Sequence, residues 1–384
     1  MKRNTLRELA RLFLKLGFLS FGGPAAHIAM MEEEVVKRKR WITHEYFLDL
    51  LGATNLIPGP NSTEMAIHIG YLRAGWLGLL TAGVCFIGPA VAITLVLAEF
   101  YLRYGSLPAV GQFFWGIRAG VIAVILAAII RLGKPQLVKR FVLITSIAVC
   151  LLSLLGVDEV LLLIFAGIAG ILWANKGHIT RVALPAVGFL LLPVFAGTRN
   201  GTAPAGSPSL TSLGLFFLKI GSILYGSGYV LVAFLQEGLV DARHWLSQRA
   251  LLDAIAVGQF TPGPVLSTAT FIGYLILGLP GAVVATSGIF LPSFIFVVLT
   301  GRWVPKLRKS PTSAGFLDGV NGASLGLMLS VCITLGVSTL AGVAPWIIFL
   351  VSVVVIIRWN VHAGWIVGGA ALAGWLFSSF GFMI

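Results

Sequence analysis

Ile57-Pro58-Gly59-Pro60 interrupts an apolar part of the chain, and Thr261-Pro262-Gly263-Pro264 does the same 204 positions later. The match extends beyond the two breaks. After a slip to an offset of 203, Gly70-Tyr71 pairs with Gly273-Tyr274. Proline inside a helix removes a backbone hydrogen bond and clashes with the preceding turn. The spacing therefore indicates a duplicated half, with one helix broken at Pro-Gly-Pro in each copy.

The composition points to a chain that lives in a membrane. Of its 384 residues, 58% are hydrophobic and 11% are charged, and the mean hydropathy is +0.96. Soluble proteins carry roughly 25% charged residues, and apolar stretches of ~17–25 residues can span a bilayer. We predict an all-α polytopic membrane protein. Examples of candidate spans are Trp76–Phe100, Ala109–Ile130, Phe141–Leu155, Val160–Ala174, Val182–Ala196, Gly281–Thr300, Ala344–Ile357 and Ala363–Phe382.

The formal charge of +13 has an explanation other than nucleic-acid binding. Basic residues cluster in short loops, as the positive-inside rule requires of a membrane protein. The three cysteines, Cys85, Cys150 and Cys332, are scattered in apolar runs without metal-ligand spacing. We expect no nucleic-acid partner, no cofactor, no metal and no catalytic residues.

The repeats define the expected domains. We assign residues 1–196 to an N-terminal transport repeat and residues 213–384 to a C-terminal one. Residues 197–212, rich in Gly, Thr, Pro and Ser, form the linker between them.

The loop charges give an expected topology. Segments around Phe21-Gly22-Gly23-Pro24 and Pro58-Gly59-Pro60 are expected to be hairpins that enter and return to one side. Five spans then follow in the first half. This odd number inverts the second half, so we predict inverted-topology repeats, with a cytoplasmic N-terminus and a periplasmic C-terminus. A rival arrangement, in which the hairpins are full spans, stays open at this stage.

The two breaks are the expected substrate site. A helix that starts after Pro60 directs its first amides into the break, and helix N-termini bind anions. Two packing kinks are the plain alternative. The candidate substrate-binding residues are Lys15, Gly22, Gly23, Asn55, Gly59, Asn61, Ser62, Thr63, Arg118, Lys219, Gly226, Ser227, Gln259, Thr261, Gly263, Ser267, Thr268 and Asn321, and the residues that break the helices are Pro58, Pro60, Pro262 and Pro264.

Charged residues in apolar runs are candidates because they are costly in a membrane. Lys15 and Lys219 are equivalent in the two repeats, and either can instead extend to the interface. Arg118 lies deeper, so it needs an anionic partner or a wet cavity. Asp49 and Asp253 are also equivalent, and they are candidates for neutralising the paired lysines. Charges in the N-terminal turn of the next helix are the equal alternative for them.

Glu64 and His68 stand four residues apart on one face of the helix after Pro60. The second repeat has no equivalent acid or imidazole. We interpret this titratable pair as a candidate for proton coupling, with an interface salt bridge as the alternative.

Several motifs together resemble the chromate ion transporter family, in its long, two-domain form. They are Phe21-Gly22-Gly23-Pro24, the Glu-rich segment ending in Trp41, Asn55–Pro60 with Gly70-Tyr71, and their second copy at Phe260–Pro264 with Gly273-Tyr274. The resemblance implies export of chromate from the bacterial cytoplasm across the inner membrane, conferring chromate resistance. It also implies sulfate as a structural mimic of the substrate.

Other functions are compatible with the residues themselves. A transporter of sulfate or another oxyanion needs the same donors, because these ions share shape and charge. A membrane-embedded enzyme acting on lipid phosphates is a weaker alternative, since it needs a cluster of metal-binding acids. The expected partners are an oxyanion and the lipid bilayer, and a homodimer is compatible with the sequence.

Overall fold

The computed structural model of the chain describes residues 2–20, 23–55, 57–105, 107–175, 207–225, 228, 230–300, 310–359 and 361–379. These residues form fourteen α-helices and, within the described part, no β-strand. In the first repeat the helices are α1 (Lys2–Leu19), α2 (Pro24–Glu32), α3 (His44–Thr54), α4 (Asn61–Tyr104), α5 (Pro108–Gln136), α6 (Arg140–Leu154) and α7 (Glu159–Ala174).

The second repeat follows the same order. Its helices are α8 (Leu210–Ile223), α9 (Leu231–Leu235), α10 (Gln248–Phe260), α11 (Thr268–Thr300), α12 (Pro311–Thr339), α13 (Val343–Trp359) and α14 (Ala363–Ser379). A π-helical turn follows α2 at Glu33–Arg38 and α9 at Gln236–Asp241. A short 3₁₀ turn, Val265–Ser267, precedes α11.

Long apolar helices carry the chain across the membrane. Within the described residues, four are long and apolar enough to span it: Asn61–Tyr104, Val110–Gln136, Val265–Leu299 and Pro311–Thr339. Shorter apolar helices include α6, α7, α13 and α14. Large apolar side chains on them are exposed, for example Val96 at 69% and Phe165 at 65%. The protein is therefore a multi-pass, all-α membrane protein.

Helix α4 reverses direction at Ala74-Gly75, where the backbone leaves the helical region and Gly75 has φ of +60°. The two arms pack so closely that a Cβ on Gly70 would collide with the Gly78 carbonyl. Helix α11 repeats the reversal at Leu277-Gly278. The chain thus enters along α3, turns at Pro58–Pro60 and returns along the first arm of α4.

Ion pairs show that both hairpins of the first repeat return to one side. Glu8, near the start of α1, lies 3.1 Å from Lys39, just after the first π-turn. The same carboxylate lies 3.8 Å from Arg73, at the reversal of α4. The Trp41 ring lies against both cations there, with its centre 5.2 Å from Lys39 Nζ and 4.6 Å from Arg73 Cζ. Both hairpins therefore begin and end on one side of the helix bundle, and their re-entrant character stays a prediction.

The equivalent helices α5 and α12 run antiparallel. A Cβ on Gly133, near the end of α5, would lie 3.8 Å from Leu325 in the first half of α12. A Cβ on Gly336, near the end of α12, would lie 3.9 Å from Ile122 earlier in α5. Two copies of one helix that point in opposite directions are the geometry of inverted-topology repeats.

The two repeats exchange packing partners. Helix α5 packs against α13 and α14 of the second repeat, whereas α12 packs against α6 and α7 of the first. Small residues allow the close approach: a Cβ on Gly116 would lie 2.6 Å from the Cα of Gly374. The main hydrophobic core lies where these helices meet, around Val121, Ala123 and Leu327.

Some expectations fall outside the described residues. These are the candidate span Val182–Ala196 and most of the 197–212 linker. The domain boundaries therefore stay predictions.

We predict that cysteine pairs will report the antiparallel arrangement. In a variant whose three natural cysteines are replaced by serine, Gly133→Cys with Leu325→Cys should cross-link efficiently in membranes. Ile122→Cys with Gly336→Cys should do the same. Cross-linked peptides can be counted by mass spectrometry after digestion.

The matched control is Gly133→Cys with Gly336→Cys. Eleven helical residues separate each glycine from the contact of the other, about 16 Å at 1.5 Å per residue. This pair should not cross-link with a short reagent. Efficient cross-linking of this pair, and none of the other two, would mean that the repeats are parallel.

Candidate functional site

Each Pro-Gly-Pro places its glycine in a backbone conformation that other residues rarely adopt. Gly59 has φ of +141° and Gly263 has φ of +88°. Both positions are also crowded: a Cβ on Gly263 would lie 3.0 Å from the Cβ of Ala90. Glycine is therefore required twice over, by conformation and by space.

The two breaks are joined across the repeats by a reciprocal pair of backbone hydrogen bonds. The Gly59 N–H donates to the Leu224 carbonyl at 2.7 Å, and the Gly263 N–H donates to the Ser20 carbonyl at 3.0 Å. Ser20 and Leu224 are equivalent residues just after α1 and α8. Each break therefore rests on the tip of the first hairpin of the other repeat.

Helix starts lie directly behind the breaks. The amides of Asn61 and Ser62, and those of Val265 and Leu266, have no acceptor among the described residues. The hydroxyls of Thr63 and Ser267, at equivalent positions, are fully buried and also lack a partner there. An unsatisfied buried polar group costs about 1–3 kcal/mol, so these groups are suited to a polar ligand.

Other hydroxyls at the breaks are already engaged. Thr261 donates to the Val257 carbonyl at 2.7 Å, and Thr268 donates to the Val265 carbonyl at 2.8 Å. Ser62 lies 3.2 Å from His27 Nδ1, and His27 Nε2 lies 3.1 Å from the Ser20 carbonyl. A carbonyl only accepts, so Nε2 carries the proton, and in the neutral ring Nδ1 accepts from Ser62.

A buried polar cluster faces the first break. Glu64 is fully buried, and neither of its carboxyl oxygens has a hydrogen-bond partner among the described residues. A Cβ on Gly59 would collide with this carboxyl and lie 2.5 Å from the hydroxyl of Ser293 in α11. His68 is buried one turn further along, and its Nε2 is also unpartnered within the described chain.

A cavity of about 510 Å³ adjoins the second break. Its walls come from both repeats: the tip of the first hairpin, the second half of α5, the end of α10 and the loop between α13 and α14. Four of the predicted residues line it, namely Gly23, Gln259, Thr261 and Gly263. Val265, whose amide is unbonded in the described chain, lines it as well.

This cavity is also lined by two basic side chains that the sequence did not single out. Arg131 donates one N–H to the Ile356 carbonyl at 3.3 Å, and it makes no ion pair with any described carboxylate. His362 lies just before α14 and is exposed. A cation that no described acid neutralises, in a largely apolar cavity, favours an anionic ligand.

Arg118 has its own anionic partner. Its guanidinium holds Asp253 through two parallel hydrogen bonds, from Nε at 2.8 Å and from Nη2 at 2.9 Å. Tyr101 donates a third bond to the same carboxylate at 2.8 Å. Asp253 is therefore paired with Arg118 rather than with Lys219, and the charge of Arg118 is neutralised by a bond between the repeats.

The paired lysines lie apart from the cavity. Lys15 binds Glu34 at 2.6 Å and is half exposed, whereas Lys219 is half-buried and makes no ion pair with a described residue. Asp49 lies on the exposed side of α3.

The remaining candidates are placed as follows. Asn55 Oδ1 accepts a hydrogen bond from the side-chain Nδ2 of Asn61 at 2.5 Å. Asn321 is half-buried in α12. Gly22, Gly226 and Ser227 lie outside the described residues.

We predict that the Arg118–Asp253 pair is a major contributor to stability. Asp253→Asn leaves a largely buried guanidinium without its counter-ion, a change that costs about 3–5 kcal/mol. The unfolding temperature of the purified protein should fall strongly. Asp318→Asn, which breaks the more exposed pair with Lys139, should change it little because exposed pairs contribute about 0–1 kcal/mol. Equal shifts would contradict a structural role for Asp253.

Comparison with known proteins agrees with this architecture. The sequence profile of the family described as "Chromate transporter" matches residues 7–171 and, a second time, residues 211–375. No solved structure gives a significant match to the chain.

The relatives are long and cover most of the chain. A "Chromate transport protein" of Cupriavidus metallidurans is 34% identical, covering 96% of this chain and 92% of its own length. A "Probable chromate transport protein" of Synechococcus elongatus is 30% identical, covering 91% and 89%. A "Chromate transport protein" of Pseudomonas aeruginosa is 30% identical, covering 96% and 92%. The chain belongs to the chromate transporter family.

Proposed function

We propose that this transporter carries chromate out of the cytoplasm across the inner membrane, and that it thereby confers chromate resistance. The observation that supports this best is the cavity at the second break. It combines an arginine without a described counter-ion, an unbonded helix-start amide and a glycine that lets the backbone approach a ligand. These are donors for an oxyanion.

The charge of the substrate fits an outward direction. Chromate is a tetrahedral dianion, and moving one charge through a potential of 100 mV changes its free energy by about 2.3 kcal/mol. A negative interior therefore favours expulsion of a dianion by roughly twice that amount per 100 mV. Export along this potential needs no other driving ion.

The position of the cavity supports loading from the cytoplasm. Arg131 stands one turn before Lys134 in α5, and His362 follows Arg358 at the end of α13. The positive-inside rule puts these basic ends, and the basic N-terminus, on the cytoplasmic side. The C-terminus then lies in the periplasm, since the repeats are inverted.

The buried cluster at the first break supports a role for a proton. An ionised Glu64 would repel an oxyanion that passes from the cavity to the first break, so passage of substrate at this break favours a protonated Glu64. His68, one turn further along the same face, extends the path for the proton. We infer that proton movement at Glu64 tunes export, while the membrane potential drives it.

Sulfate is the main competing substrate. It shares the tetrahedral shape and the charge of chromate, and the donors at the break recognise both features. The preference for one ion over the other is therefore measured by competition between them.

We expect inverted vesicles that contain the transporter to accumulate radiolabelled chromate under an imposed potential that is positive inside. Arg131→Gln should reduce the initial rate roughly tenfold or more, since a charged hydrogen bond contributes about 1.5–3 kcal/mol. Unlabelled sulfate in excess measures the selectivity.

The control for charge is Lys134→Gln, an exposed residue one turn away that does not line the cavity. It should leave the rate unchanged. If wild-type vesicles accumulate no chromate, the proposed function is wrong. If both variants lose the same activity, the cavity is not the binding site.

We expect Glu64→Gln to flatten the pH dependence of chromate uptake. Glutamine keeps the shape of the side chain but cannot titrate, so the rate should vary with pH in wild-type vesicles and much less in the variant. Thr63→Ser, next to it in the same helix, should keep the wild-type profile. An unchanged profile in Glu64→Gln would remove Glu64 from the mechanism.

A further inference from the structure

A second cavity, of about 600 Å³, lies at the start of the first hairpin. It is separate from the cavity at the second break and shares no lining residue with it. The lining residues are Asn4, Arg7, Glu8, Arg11, Leu12, Lys15, Glu34 and Lys39.

The cavity has a positive charge that its own acids do not neutralise. Glu8 is shared by Lys39 and Arg73, at 3.1 and 3.8 Å. Glu34 is shared by Lys15 and Arg38, at 2.6 and 3.4 Å. Both acids therefore hold two cations already.

Arg7 and Arg11 are the cations left over. Both are exposed, and neither makes an ion pair or hydrogen bond with a described residue. Two neighbouring guanidinium groups without partners at a concave surface are suited to a phosphate, which they can bind by paired hydrogen bonds.

The face of α1 that carries these arginines becomes apolar towards the hairpin tip. Arg7, Arg11, Leu14 and Phe18 follow one another at helical spacing, so they lie in one stripe. Leu14 is 40% exposed and Phe18 is 51% exposed. The stripe therefore offers cations at its outer end and bare hydrocarbon at its inner end.

A neighbouring tryptophan favours a position of the outer end at the membrane interface. Trp41 lies under the charges of Lys39 and Arg73, at 5.2 and 4.6 Å from its ring centre. Tryptophan is enriched at the level of the lipid headgroups. This preference favours headgroup depth for Arg7 and Arg11 and acyl-chain depth for Leu14 and Phe18.

We propose that this cavity binds the headgroup of an anionic phospholipid of the leaflet that is expected to be cytoplasmic. The lipid phosphate contacts Arg7 and Arg11, and one acyl chain covers Leu14 and Phe18. A free oxyanion would satisfy the arginines but would leave the apolar half of the stripe uncovered, so the lipid is the occupant that fits both halves. The site is independent of the ion that is transported.

The test is lipid binding by the purified full-length protein, measured by native mass spectrometry and by thermal unfolding in detergent. Wild-type protein should retain phosphatidylglycerol in preference to phosphatidylcholine. Arg7→Gln with Arg11→Gln should weaken phosphatidylglycerol binding by roughly thirtyfold. Arg7→Lys with Arg11→Lys keeps the charge but not the paired hydrogen bonds, so it should weaken binding less.

The matched control removes two exposed cations outside the cavity, Lys37→Gln with Lys134→Gln, and should leave binding unchanged. No preference for phosphatidylglycerol in the wild type, or equal losses in both Gln double variants, would overturn the proposal. A further arm adds inorganic phosphate or sulfate. If either ion at millimolar concentration displaces the lipid and stabilises the protein equally, the site belongs to a free oxyanion rather than to a lipid.

Discussion

The architecture depends on a rule of the membrane interior: backbone N–H and C=O groups there must find partners within the protein. A helix broken in the middle of a hairpin exposes several such groups at once. Here each break forms one hydrogen bond to the opposite repeat: the Gly59 N–H donates to the Leu224 carbonyl, and the Gly263 N–H donates to the Ser20 carbonyl. Backbone N–H groups that lost their helical partners at the breaks thus link the inverted repeats. The amides and hydroxyls that remain unbonded stand next to these anchors.

The duplicated halves have the same backbone but different polar groups. Both copies keep the Pro-Gly-Pro, the hydroxyl at Thr63 or Ser267, and the reversal at Gly75 or Gly278. Only the first copy buries a carboxyl next to its break, since Thr268 stands where Glu64 does. Lys15 has Glu34 as its partner, whereas its equivalent Lys219 has no such acid among the described residues. A symmetric scaffold therefore carries an asymmetric set of charges.

Much of the fold could be predicted from the sequence because it is repeated. The 203–204 residue offset located both breaks, and the inverted loop charges indicated that α5 and α12 point in opposite directions. The partners of individual charges could not be predicted. Arg118 and Asp253 are 135 residues apart and belong to different repeats, so no local pattern links them. Arg131 resembled one more loop cation beside Lys134, and only the packing of α13 and α14 makes it part of a cavity wall. His27 had no equivalent in the second repeat and stood alone in an apolar run.

The exchange of partners between the halves has a consequence for biosynthesis. Ribosomes add roughly 5–20 residues per second, so the 135 residues between Arg118 and Asp253 take roughly 7–27 s to appear. The partners of α5 in α13 and α14 emerge later still. During this time the Arg118 guanidinium lacks its counter-ion, and the glycine-lined face of α5 lacks its packing partners. The first repeat therefore completes its packing only when the second repeat is present, and a chain that stops before its last two helices would leave the partner surface of α5 uncovered.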